Sequence, residues 1–173
     1  MKKDQRGFSV VELVVVIAII GVIVGASVSL LGYLRYANNQ KAVETVSDML
    51  NRMRITSMSR QGPQYLYIYR LNDGDYYMKL TNVLLDTYDD AALGSGGTKI
   101  CSSGIAISMN MTGGTPVELQ RQNQVIRIVY KRNGVLNTDT ASGGSNADQI
   151  IFTSNTTYTI RIYTSTGKHA ILQ

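Results

Sequence analysis

Five features of the sequence carry residue types that could do chemistry. Glu12 is a lone carboxylate at the edge of 22 uncharged positions, Leu13 to Leu34. His169 and Cys101 are the only histidine and the only cysteine. Asp86, Asp89 and Asp90 form a short acidic run, Gly7-Phe8 follows the basic residues Lys2, Lys3 and Arg6, and Gly94-Ser95-Gly96-Gly97 is glycine-rich. A charge-relay triad needs a firmly held imidazole, whereas His169 lies four residues from Gln173, where chain ends commonly fray. One cysteine and one histidine cannot supply the usual structural zinc ligand sets. The three aspartates offer oxygen ligands, but their spacing matches no EF-hand loop, which leaves calcium near Asp86, Asp89 and Asp90 open. The glycine-rich stretch lacks a Gly-Lys-Ser/Thr ending and a following helical pattern, so it is not read as a phosphate loop. No catalytic constellation emerges; the expectation is a protein that is not an enzyme and holds no cofactor.

Glu12 is the most demanding of these residues. A charged side chain deep in a bilayer costs about 2.5 kcal/mol or more, so it needs a specific partner. As a helix, the 22 uncharged positions beside it would span about 33 Å, enough to cross a hydrocarbon core about 30 Å thick. A secretory signal peptide would place a small-residue cleavage site after the apolar run. Here residues 25 to 33 lead straight into an amphipathic pattern, so the anchor is expected to be retained.

The segment Lys2-Lys3-Asp4-Gln5-Arg6-Gly7-Phe8-Ser9-Val10-Val11-Glu12, with the apolar run behind it, resembles the N-terminus of the type IV pilin and type II secretion pseudopilin family. The resemblance covers the first third of the chain. It implies a leader over residues 1–7, cut between Gly7 and Phe8 by a prepilin peptidase on the cytoplasmic side, where Lys2, Lys3 and Arg6 hold it by the positive-inside rule. It further implies that Phe8 becomes the N-methylated first residue and Glu12 the fifth. In such filaments the carboxylate neutralises a neighbouring subunit's N-terminus, turning two costly buried charges into one compensated pair. Otherwise Glu12 would simply mark the interfacial end of a membrane helix. The implied partners are the prepilin peptidase, other pilin subunits in a homo- or hetero-filament, an assembly motor with its platform proteins, and the membrane; nucleic acid is left open. The implied location is the cytoplasmic membrane, crossed once with the head outside the cytoplasm, and then an extracytoplasmic or cell-surface filament.

Within the anchor, Gly21 stands where the family carries a helix soft point, while Ser29 occupies the place of the usual proline. Each glycine in a helix interior costs about 1 kcal/mol relative to alanine. Near the C-terminus, Tyr158 to Lys168 resembles the last hairpin of minor pseudopilins, in which a strand passes through Thr-Gly and a basic residue into a final strand. With Cys101 alone, no intrachain disulfide can form, a departure from the C-terminal disulfide loop of many pilins. The resemblance implies a filament for secretion, DNA uptake or adhesion.

Four segments must position these groups: a leader over 1–7, a transmembrane or filament-core helix over 8–34, its amphipathic continuation over 35–61, and a β-rich head over 62–173. Removing seven of 173 residues leaves 166, and with about fifty in the helix the head has the size of one domain. The leader's Lys2, Lys3 and Arg6 against Asp4 contribute +2, so the net charge of +5 falls to +3, too little to argue for a polyanionic partner. Ala42, Val43, Val46, Met49, Leu50 and Met53 recur every three or four residues, and Lys41, Glu44, Asp48, Arg52 and Arg54 largely take the other face. That pattern predicts one amphipathic helix, stopped by Gln61-Gly62-Pro63.

Beyond Pro63 the period changes to two. Residues 65–71 and 76–80 flank Asn72-Asp73-Gly74-Asp75 and predict a hairpin on an Asp-Gly turn. Further strands are expected over 99–102, 105–109, 117–120, 125–131, 150–153 and 158–163. Eleven tyrosines, with Tyr65, Tyr67 and Tyr69 on one strand face, suit half-wet sheet packing or subunit contacts. The predicted fold is α+β, a long N-terminal helical spine packed on an antiparallel sheet. The competing function is a single-pass membrane-anchored ligand- or protein-binding domain.

Overall fold

The computed structural model describes residues 9–59, 64–85, 93–94, 96–111, 115–119, 125–130, 132, 134, 136–140, 147–163 and 165–173, with backbone alone at 28–31, 111, 136–140 and 147. A single helix, α1 (Val10–Ser59), holds 50 residues and spans about 75 Å. Its two halves differ in what covers them. In the lower half Ala42, Val43, Val46, Leu50 and Met53 are buried, as their spacing predicts, and Met49 packs at the margin. In the upper half every residue from Val10 to Ser27 is exposed. The helix runs unbroken through Gly21, Gly25 and Gly32, and a Cβ at any of the three would meet nothing within 4 Å. The hydroxyl of Ser27 donates to the Ile23 carbonyl at 2.7 Å, so this polar group is satisfied without leaving the apolar stretch. The predicted stop at 61–63 lies outside the described residues, immediately after the helix ends.

Ten strands follow: β1 (Gln64–Arg70), β2 (Tyr76–Thr81), β3 (Thr98–Cys101), β4 (Ala106–Met111), β5 (Val117–Glu118), β6 (Ile126–Tyr130), β7 (Leu136–Thr140), β8 (Ala147–Thr153), β9 (Thr157–Tyr163) and β10 (Lys168–Leu172). They form two five-stranded antiparallel sheets, ordered β3-β2-β1-β6-β7 and β10-β9-β8-β4-β5. The fold is α+β as expected, with two sheets in place of the single one predicted. The difference arises from long-range pairing: β6 returns to β1 with Leu66 opposite Ile128, while β8 pairs with β4 with Ile107 opposite Phe152. Neither partnership is visible in a local period of two.

Both sheets turn an apolar face to α1. Leu66, Ile68, Met78, Ile126 and Ile128 from the first sheet and Ile107, Phe152, Ile160 and Ile162 from the second join the helix stripe in one core. The opposite face of β1 presents Tyr65, Tyr67 and Tyr69, which pack with Leu85, Leu93 and Val125 in a separate cluster. The Tyr69 hydroxyl donates to the Leu93 carbonyl at 2.5 Å, and the Leu85 N–H donates to the Tyr67 hydroxyl at 3.0 Å. Burial, with the neighbouring Tyr77 adding to it, pushes the Tyr69 hydroxyl up to about 12. The tyrosine face is therefore sheet packing, with Tyr69 and Tyr77 stacked at 6.2 Å between centroids.

The predicted hairpin is present. The Gly74 N–H closes on the Leu71 carbonyl at 3.0 Å with Gly74 at φ 85°, the left-handed conformation that ends a three-residue β-loop. The last hairpin is also present: β9 and β10 pair antiparallel, and Gly167 turns the corner at φ 64°. The Tyr130 hydroxyl donates to the Gly167 carbonyl at 3.1 Å, tying the first sheet to the final turn of the second.

Candidate processing and assembly site

The site begins at the start of α1, where four backbone N–H groups have no intrahelical acceptor. Ser9 stands in the N-cap position: its carbonyl accepts from Leu13 N–H at 3.2 Å, and its hydroxyl oxygen accepts from Val11 N–H at 3.4 Å. Glu12 falls three residues after the cap, in the first turn and exposed. Ser9-Val10-Val11-Glu12 thus has the Ser-x-x-Glu spacing of a capping box, whose carboxylate sits at the positive end of the helix dipole. Reading Glu12 against the bilayer alone overlooks this contribution of Ser9. The signal that could have found it is the Ser-x-x-Glu spacing immediately before an apolar run.

Gly7 and Phe8 lie outside the described residues, directly before this cap. Behind it, Leu13, Val14, Ile17, Ile20 and Val24 are all exposed, a surface that water alone would cover at high cost. By length and composition α1 is long and apolar enough to cross a membrane, and none of the apolar window is buried within the chain. The arrangement therefore joins a capped, carboxylate-bearing helix start to an uncovered apolar rod.

Residues 2–28 match the family model described as the prokaryotic N-terminal methylation motif. The chain carries a pilin-type methylation motif. The motif spans Gly7, Phe8 and Glu12 together with most of the apolar run, and it indicates a type IV pilin-like prepilin processed by a prepilin peptidase. The family that bears this motif is structural rather than enzymatic, and the exposed upper half of α1 fits a single-pass membrane anchor. No match was found among the curated proteins or among the solved structures.

The other candidate residues lie away from the methylation motif. His169 is not in a frayed end, as its position suggested, but in β10, half-buried, with Nε2 2.8 Å from the Ser47 hydroxyl oxygen on α1. Backbone pairing with β9 and this contact dock the segment. Burial pulls the His169 imidazole below its ordinary range; Arg54 acts in the same direction, while the Ser47 contact and Asp48 oppose it. Cys101 is buried in the core, which pushes its thiol up to about 12, so it stays protonated and unreactive. Asp86, Asp89 and Asp90, where calcium was left open, fall outside the described residues, as does Ser95 of the glycine-rich stretch.

Proposed function

We infer that this chain is a structural subunit of a type IV pilus or pseudopilus, cut between Gly7 and Phe8 and N-methylated on Phe8. One observation carries the reading: the methylation motif stands on a helix whose upper half is uncovered while its lower half forms the core of the head. Such a helix needs two environments. Before assembly the bilayer covers Val10 to Leu34; in a filament, the same surface packs against the helices of other subunits as the head stays outside the bundle. Glu12 serves both states, its carboxylate standing at the positive end of its own helix dipole and offered to the methylated amine of a neighbour. Gly21 and the other anchor glycines supply the positions where the helix can yield during that transfer, since no neighbour within the chain requires them.

The prepilin peptidase, an assembly motor with its platform, and sister subunits are the partners this role needs. The head contributes no reaction. Replacing Glu12 by alanine tests the reading. Membrane insertion and leader removal should persist, while the variant should be largely missing from sheared filaments, because breaking a buried pair costs about 3–5 kcal/mol. Normal incorporation would remove the assembly role from Glu12. A wild-type chain that stays in the membrane and never reaches a filament would favour the anchored binding domain.

A further inference from the structure

A cavity of about 420 Å³ opens between α1 and the edge strand β3. Asn38, Lys41 and Thr45 line it from the helix, Lys99 and the buried Cys101 from the strand, and Ser102 from the residue just after it. Its donors suit an anion. Lys41 is exposed and, among the described residues, has no carboxylate within ion-pair distance. The Lys99 ammonium is bonded to the Asp75 carboxylate, whose other oxygen accepts from Ser103 N–H at 3.1 Å. That leaves Lys99 two further N–H donors, because an ammonium carries three. The Thr45 hydroxyl is already committed to the Lys41 carbonyl at 2.7 Å, so the remaining neutral donors are the Asn38 amide and the Ser102 hydroxyl.

The position of the cavity narrows the choice of anion. Asn38 is four residues beyond Leu34, the last residue of the uncharged run, so the cavity begins about 6 Å past the apolar stretch along the helix axis. The headgroup region adds about 5–8 Å on each side of a hydrocarbon core. The Asn38 edge of the cavity therefore overlaps the layer where lipid phosphates lie, and Lys41, about 10.5 Å past Leu34, is within a side chain's reach of it. Tyr33 and Arg35, both exposed at the end of the anchor nearest the cavity, are the residue types that settle at this interface.

We propose that the groove between α1 and β3 seats the phosphate of an anionic lipid headgroup, with Lys41 and Lys99 as its cationic contacts. The proposal rests on the reading of α1 as a membrane anchor. Its role is to fix how the waiting subunit's head meets the membrane surface before extraction.

The test uses the full chain in neutral detergent, titrated separately with phosphatidylglycerol, phosphatidylcholine, inorganic phosphate and a short DNA duplex, with bound species counted by native mass spectrometry. Phosphatidylglycerol should bind in preference to the other three. Lys41→Gln and Lys99→Gln should each weaken it about fivefold, the scale of one basic residue at a lipid surface. Lys168→Gln, an equal charge change on β10, should leave it unchanged. Equal loss in Lys168→Gln, absence of a phosphatidylglycerol adduct, or binding of phosphate or DNA in place of lipid would overturn the proposal. Flotation with phosphatidylcholine vesicles separates the two levels: all variants should float, and a wild-type chain that does not float refutes the anchor reading along with the proposal.

Discussion

In the function proposed above, Gly7 is the residue on which processing turns. With a bulky side chain there, leader removal should fail while insertion, driven by the apolar run, continues. Immunoblots from cells with and without the peptidase would show only the longer band for Gly7→Leu, and a normal mature band would contradict the assignment of the cleavage position. His169 gives a second prediction. Its imidazole is held neutral in the folded chain more strongly than in the unfolded one, so as pH falls through the ordinary histidine range near 6.5 the unfolded state takes up the proton first. Stability is full above that range and erodes below it. Thermal denaturation of the detergent-solubilised chain should show a lower midpoint at pH 5.5 than at pH 7.5, and His169→Gln should flatten the difference. At this scale the sequence showed the methylation motif that contains Gly7, Phe8 and Glu12, but not the Ser47–His169 contact, because those residues meet across 122 positions of chain.

Among the elements, α1 was legible because one face of its lower half is apolar at every third or fourth residue. The β1–β2 hairpin was legible through Asp73-Gly74. β7 was not: Leu-Asn-Thr-Asp-Thr is mostly polar, and it becomes a strand through backbone pairing with β6 at a sheet edge. The division into two sheets was hidden for a related reason, since the β1–β6 and β4–β8 pairings join distant segments. The two halves of α1 should respond differently to truncation. Leu50→Ala should destabilise the head by about 2–5 kcal/mol, the range for a buried leucine, whereas Ile17→Ala should leave its unfolding midpoint in place. Gly167→Ala should also destabilise, by about 1–3 kcal/mol or more. Its φ of 64° disfavours a side chain, and a Cβ there would run into the Gly134 carbonyl and the Tyr130 ring. Calorimetry of the three variants, in which Ile17→Ala proved as damaging as Leu50→Ala, would contradict the division of the helix into a bare half and a core half.

For the whole molecule, the head packs against its own helix and leaves the other half of that helix for something else to cover. A long apolar run made this visible in the sequence, and the methylation motif says how such a chain is handled. In the proposed filament other copies surround the upper half, and contacts between chains leave no period in a single sequence. The account depends on the chain entering the prepilin route rather than remaining an ordinary single-pass protein. Intact-mass and N-terminal fragment analysis of the membrane-extracted protein addresses this most directly. The predicted result is a chain lacking residues 1–7 that begins at Phe8 with one methyl group on its amine. An intact Met1, or a new terminus near Gly32, would contradict it.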